Sequence, residues 1–115
     1  MERNGNCFSV KSDRDLDTLL NTEERLVTLW YASWCPFCVR FLPIFERQAG
    51  GPGLSFAVVK DDQENMGERY SVDVYPTVLF FERGTVSKRL DGVPRAGLNE
   101  EQLTGFIQSC TVANR

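Results

Sequence analysis

The stretch Trp34-Cys35-Pro36-Phe37-Cys38 stands between two segments of different period. Before it runs Leu26-Val27-Thr28-Leu29-Trp30-Tyr31, nearly all apolar or β-branched. Such a run reads as a strand buried on both faces. After it, Val39 to Glu46 carries apolar residues at helical spacing. Pro36 suits the first helical position, where an N–H has no intrahelical partner. The two cysteines therefore sit where a buried strand hands over to a helix. That order, strand then helix, is the start of a parallel β-α-β unit.

The rest of the chain extends the same alternation. Cys7 to Val10 reads as a short first strand. Ser12 and Asp15 form a capping-box-like start for a helix to about Asn21, with Leu16, Leu19 and Leu20 at helical spacing. Thr22 to Arg25 reads as a polar loop. In the second helix Cys38, Phe41, Leu42 and Phe45 form one stripe, and Pro43 should kink it. Gly50-Gly51-Pro52-Gly53 ends that helix. Leu54 to Val59 reads as a third strand, and Asp61-Asp62-Gln63 opens a short polar helix through about Tyr70. Pro76 to Phe81 and Val86 to Leu90 read as a hairpin turning at Gly84. Asn99 and Gln102 cap a last helix with Leu103, Phe106, Ile107 and Cys110 on its buried stripe, and the tail from Thr111 to Arg115 should fray. The expected architecture is α/β: a mixed central sheet with helices on both faces, formed as one domain over residues 1–115.

Composition narrows the function. With 115 residues and a net charge of -3, the chain offers a polyanion nothing to bind, so nucleic acid is excluded as a partner. The absence of histidine removes Cys-His proteolysis, histidine acid–base catalysis and histidine metal ligation. No apolar run approaches the roughly 18 residues of a membrane span, so no membrane contact is expected. The N-terminal Met1 to Asn6 is polar and lacks the apolar centre of a secretion signal, which points to the cytoplasm. Four cysteines are too few for a disulfide-stapled fold and too few to complete a zinc site beside Cys35 and Cys38 without histidine.

What remains for Cys35 and Cys38 is redox chemistry. Cys35 lies at a helix N-terminus, where unpaired N–H groups and the helix dipole favour an anion by up to about 2 kcal/mol. It is the expected nucleophile. Cys38, one turn on and facing the core, stays a thiol until a mixed disulfide forms, and is the resolving cysteine. Closing so short a loop restrains the unfolded chain by only about 1.9 kcal/mol, against about 4.7 for a 100-residue loop. A Cys35–Cys38 disulfide is thus easy to reduce, and no cofactor beyond it is required. Cys110 reads as a buried inert thiol and Cys7 as lying near the surface edge of the first strand with no role, with a Cys7–Cys110 bridge the alternative; Lys60, Asp61 and Asp62 read as solvated, with a proton relay through water the alternative for one of them.

Over nearly its whole length, from about Phe8 to Cys110, the chain resembles the thioredoxin family. The matching features are Trp34 before the motif, the Cys35/Cys38 pair, Pro43 inside the following helix, Pro76 opening the fourth strand, Gly84 in the hairpin turn and Gly92 after the fifth strand. The resemblance implies a strand order of first, third, second, fourth, fifth across the sheet. It implies a cis Pro76 lying against the cysteine pair, with the backbone of Tyr75 open to an extended substrate. Trp34, Pro36, Tyr75, Pro76 and Val93 would then surround the sulfurs as an apolar substrate platform. The alternative for Trp34 is a core position. The chain departs from the family in three places. The dipeptide between the cysteines is Pro36-Phe37 rather than Gly-Pro, more like glutaredoxins and periplasmic disulfide oxidants. The family's buried acid is replaced by Leu29, and its buried lysine by Val58, so its proton relay is missing.

The expectation is a monomeric protein-disulfide oxidoreductase that acts in electron transport and cell redox homeostasis, most simply as a reductant. Its partners would be protein disulfides, and a thioredoxin reductase or another dithiol donor would recycle it. Glutathione-linked exchange, prompted by Pro36, and an oxidase or isomerase role are the enzymatic alternatives. A thioredoxin-fold binding or scaffolding module is the non-enzymatic one.

Overall fold

The computed structural model describes residues 1–112. Its elements are strands β1 (Arg3–Asn4) and β2 (Cys7–Val10), helix α1 (Asp13–Thr22), strand β3 (Arg25–Tyr31), helix α2 (Pro36–Gln48), strand β4 (Ser55–Lys60), a short 3-10 helix (Gly67–Tyr70), strands β5 (Thr77–Glu82) and β6 (Thr85–Leu90), and helix α3 (Glu100–Val112). They form one six-stranded sheet in the order β1-β2-β4-β3-β5-β6. β2 and β3 each run parallel to β4, while β5 is antiparallel to β3 and β6 antiparallel to β5. The expected order holds for the five strands foreseen. The structure adds β1, which pairs antiparallel with β2 through Arg3 opposite Phe8 and Asn4 opposite Cys7. This strand is short and polar, so alternation could not signal it.

β3 is central because its side chains are apolar on both faces. Leu26 and Trp30 join one layer with Leu16 and Leu19 of α1, Ala57 and Val59 of β4, and Leu79 and Phe81 of β5. Val27 and Leu29 join the other with Phe41 and Phe45 of α2, Phe56, Val58, Val78, Phe80, and Leu103 and Cys110 of α3. A single register slip would exchange the two sets. Burying each large side chain is worth about 1.5–3 kcal/mol. Thr28, the one polar residue of this strand's centre, is satisfied: its hydroxyl donates to the Leu79 carbonyl at 2.9 Å and accepts from Trp30 Nε1 at 2.8 Å.

Caps set the helix ends as expected. The Asp15 N–H donates to Ser12 Oγ at 3.2 Å. The Asn99 side chain accepts from the Gln102 N–H at 2.8 Å, while the Gln102 side chain accepts from the Asn99 N–H at 2.9 Å, a reciprocal capping box. Pro43 lies inside α2.

Several local expectations are corrected. Thr22 belongs to α1, and Arg25 opens β3 rather than closing a polar loop. Arg25 is buried, donating to the carbonyls of Gly53 and Cys110 and so tying β3 to the turn before β4 and to α3. The polar helix expected from Asp61 is a turn followed by the 3-10 helix at Gly67–Tyr70. Cys7, expected near the surface edge of the first strand, is fully buried, because its side chain joins the layer of Val27, Phe41 and Phe56, while β1 pairs along the outer edge of β2. The expected fraying at Thr111 is not found, since α3 runs through Val112; residues 113–115 lie outside the described residues.

Candidate active site

The site forms where β3 ends and α2 begins. Ala32 to Trp34 carry the chain over the edge of the sheet, and Cys35 is the N-cap of α2, with Pro36 in the first turn. Cys35 has an extended backbone and its side chain makes no cap hydrogen bond to the helix. The first-turn N–H groups are therefore left to act on the sulfur as a local positive field. The Cys35 N–H donates to the Ala32 carbonyl at 3.2 Å, and its carbonyl accepts from the Val39 N–H at 3.0 Å.

Cys38 is fully buried and Cys35 only 7% exposed. Both sulfurs are free thiols. Burial pushes the Cys38 thiol well above its ordinary pKa, opposed by a hydrogen bond with the Ala32 backbone and reinforced by the neighbouring Cys35. The structure corrects the stripe assigned to this helix. Phe41 and Phe45 pack on the α2 and α3 side of the sheet. Cys35 and Cys38 belong to the opposite layer, with Ala32, Met66 and Tyr75. The first turn of α2 thus reaches past the sheet edge, while its body lies on one face.

Across from the cysteines is the segment before β5. The Tyr75–Pro76 peptide is cis, as the resemblance implied. The Cys35 thiol donates to the Tyr75 carbonyl at 3.7 Å. Pro76 is buried, and behind it sits Gly92, whose approach is so close that a Cβ there would meet the Pro76 carbonyl oxygen at 2.2 Å. The Gly92 N–H donates to Thr77 Oγ1 at 3.3 Å. This contact brings the chain after β6 to the segment facing the cysteines, where the next residue, Val93, is exposed. Gly97, at a φ of +72°, packs against Phe37, where a Cβ would fall 2.9 Å from the Phe37 Cβ.

The expected platform is only partly as drawn. Trp34 is 57% exposed, which rules out the core alternative, and Val93 is 48% exposed. Pro36 is exposed too. Tyr75 is not a surface ring: it is 9% exposed and its hydroxyl turns inward. It offers the site its carbonyl, and it meets Trp34 edge to face at 6.5 Å between centroids.

Sequence reasoning misses Asp61 and Asp62, whose charge alone reads as solvated. Asp61 is 2% exposed. Its carboxylate accepts N–H bonds from Asn65, Met66 and Gly67, and an O–H bond from Tyr75 at 2.7 Å. Burial first, and this hydrogen bond next, push the Tyr75 phenol far above its ordinary value. The Asp62 carboxylate accepts from the Ser33 N–H and from Ser33 Oγ, both at 2.7 Å, and these bonds hold it below the usual carboxylate range. The Asp62 carbonyl accepts from Trp34 Nε1 at 3.0 Å. The run Asn65-Met66-Gly67 is a signal in hindsight: a carboxylate just before three donors can fold back on them.

Leu29 is fully buried and pairs in register with Val58 on β4 and Val78 on β5. It packs with Phe41 and Phe45 rather than with the cysteines. The other two cysteines are also in the interior. Burial raises Cys7 to about 12, helped by Glu46, and raises Cys110 to about 11.

Comparison with known proteins identifies the family of the chain. The family model described as Thioredoxin matches residues 8–109. A thioredoxin of Mycoplasmoides gallisepticum is 35% identical over 94 residues, covering 79% of this chain and 94% of that protein. Protein disulfide-isomerase A5 of Mus musculus is 37% identical over 81 residues, but this chain spans only 16% of that protein's length. Among solved structures, Fasciola hepatica thioredoxin superposes with a TM-score of 0.74 at 30% identity, covering 89% of this chain and 97% of that one. Malassezia sympodialis thioredoxin superposes with a TM-score of 0.77 at 19% identity, covering 95% and 94%.

Proposed function

We propose, from the premise that this chain belongs to the thioredoxin family, that its Cys35 and Cys38 reduce disulfides in other proteins. Thioredoxin and protein disulfide-isomerase relatives support thiol–disulfide oxidoreductase activity in general. One observation carries the finer reading. Cys35 caps α2 opposite the Tyr75 carbonyl, beside the exposed Trp34, while Cys38 is fully buried one turn behind.

The chemistry follows from that asymmetry. The Cys35 thiolate attacks one sulfur of a substrate disulfide. A mixed disulfide forms, and the other substrate sulfur leaves as a thiolate. Cys38 then loses its proton and attacks Cys35 Sγ, releasing the second substrate thiol and leaving a Cys35–Cys38 disulfide. The substrate gains two electrons and the chain loses two, so a dithiol donor must regenerate it, in a reducing compartment. Leu29 cannot take the proton of Cys38. In this chain the departing substrate thiolate is the available acceptor, a role that suits its higher basicity.

A second reading, disulfide oxidation or isomerisation, is favoured by the Leu29–Val58 pair, which puts two apolar residues where the family's acid and lysine stand. One set of measurements separates the two: insulin disulfide reduction by wild type and Cys35→Ser, with the reduction potential of the pair. A reductant is active, loses activity with Cys35→Ser and has a potential near thioredoxin's roughly -270 mV. A potential near the roughly -120 to -180 mV of oxidants and isomerases would reverse the assignment. Undiminished reduction by Cys35→Ser would remove Cys35 as the nucleophile.

A further inference from the structure

Asp61 and Asp62 follow directly on β4, and each ties down a different segment beside Cys35. Asp62 holds the segment before the cysteine: its carboxylate takes both the N–H and the hydroxyl of Ser33, and its carbonyl takes the indole N–H of Trp34. Asp61 holds the segment opposite: its buried carboxylate takes the Tyr75 hydroxyl at 2.7 Å. Asp61 is itself fixed by three backbone N–H groups, from Asn65, Met66 and Gly67. Gly67 leaves room for this, since a Cβ there would lie 3.2 Å from both Asp61 Oδ2 and the Tyr75 hydroxyl oxygen.

The two segments stand on neighbouring strands, β3 and β5, whose last register pair is Trp30 opposite Thr77. Trp34 lies past the end of β3, and Tyr75 lies before β5. Their rings meet only edge to face, at 6.5 Å. Beyond that last register pair, the adjacent residues Asp61 and Asp62 at the end of β4 bond both segments. We propose that Asp61 and Asp62 are positioning residues that set the width of the substrate cleft, Asp61 through the Tyr75 hydroxyl and Asp62 through Ser33 and Trp34. This rests on the protein-disulfide reading above for what the cleft receives, but the tethers themselves can be read without substrate.

Tyr75→Phe removes one oxygen and leaves the three backbone donors on Asp61, so it spares the fold. A hydrogen bond to a charged group is worth enough that its loss should raise KM for insulin about tenfold. The fall in kcat should be smaller, no more than about threefold, because Cys35 and Cys38 keep their places. The rate with a small aromatic disulfide, which needs no peptide cleft, should fall less than kcat/KM for insulin does. Asp62→Ala should act in the same direction. Amide hydrogen exchange reads the tethers: faster exchange is expected at Ser33 in Asp62→Ala, and at Met66 and Gly67, whose amides share the Asp61 carboxylate with the Tyr75 hydroxyl, in Tyr75→Phe. Unchanged exchange in both variants overturns the tethers whatever the activity. Faster exchange with an insulin KM within twofold of wild type overturns their role in the cleft. An equal fall in insulin and small-disulfide rates overturns it too, since the residues would then act on Cys35 itself. A wild-type chain that reacts with the small disulfide but reduces no insulin would instead refute the protein-disulfide reading.

Discussion

The Cys35 thiol and the Tyr75 carbonyl oxygen lie 3.7 Å apart, joining residues 40 positions distant in the chain. Neither belongs to a regular element: one caps α2 and the other precedes β5. The contact exists because β5 is antiparallel to β3, which brings the start of β5 to the end of β3. Trp30 opposite Thr77 is the last register pair before the two loops diverge.

The exchange mechanism makes the two cysteines unequal. Cys38→Ser should trap a mixed disulfide between Cys35 and insulin, visible as a thiol-sensitive adduct by mass spectrometry. Cys35→Ser should give no adduct, because the buried Cys38 cannot reach a protein. Adduct formation by Cys35→Ser at the wild-type rate would assign the nucleophile to Cys38.

Gly92 is required by a close approach rather than by a turn. Its φ is not positive, yet a Cβ would meet the Pro76 carbonyl oxygen at 2.2 Å, and a backbone atom cannot swing aside. Gly92→Ala should destabilise the chain by about 3 kcal/mol. It should also lower insulin reduction, since the displaced residues include the neighbours of Tyr75. Urea unfolding measures the first effect. An unchanged midpoint would mean that the chain after β6 moves freely.

Leu29→Asp tests the apolar replacement of the family's acid. The new carboxyl would sit among Val58, Val78, Phe41 and Phe45 with no donor, so it is expected to cost about 3 kcal/mol near neutral pH. Burial raises the folded pKa of such a carboxyl above its unfolded value of about 3.9. Stability is then fully present below the unfolded value and is lost as pH rises through the folded one. The deficit relative to wild type should shrink between pH 8 and pH 4 in denaturant titrations. A deficit independent of pH would mean that the carboxyl finds water or a partner.

The buried thiols set an alkaline limit. Cys7 is raised to about 12 and Cys110 to about 11, from 9.0 in both cases, chiefly by burial. Their folded values lie above the unfolded ones, so the stability they contribute is complete below about pH 9 and declines as pH rises towards 11 and 12. The thermal midpoint should therefore fall across that window, and Cys7→Ala with Cys110→Ala should make the decline shallower. At pH 8 a thiol reagent should modify Cys35 in the folded chain and leave Cys7 and Cys110 untouched. Rapid labelling of either would contradict their burial.

Asp62 behaves in the opposite sense. Its bonds from Ser33 hold its folded pKa below the ordinary value, so they are present above that value and lost as pH falls through the folded one. Tryptophan emission should show an acid transition as the Ser33 bonds to the carboxylate, next to Trp34 in the chain, weaken, and Asp62→Ala should abolish it. A transition that survives the substitution would belong to another group.

Much of this protein was legible in the amino-acid sequence because it depends on local chemistry. Short apolar and β-branched runs and stripes at helical spacing marked the five main strands and three helices. The Cys35-Pro36-Phe37-Cys38 spacing marked the strand-to-helix junction where the proposed redox pair sits, since a proline suits a helix N-terminus. What tertiary structure decided depends on groups far apart in the chain. Burial of Asp61 required a tyrosine 14 residues away and three N–H groups in one turn, a coincidence that no period announces. Tyr75 looked like a platform residue, yet its hydroxyl found that carboxylate and turned the ring inward. Cys38 shared helical spacing with Phe41 and Phe45, but the first turn of α2 overhangs the sheet edge, so the same stripe serves two layers. Spacing along one element is fixed by backbone geometry. Which side chains face each other across elements is settled only when every buried polar group has found its partner.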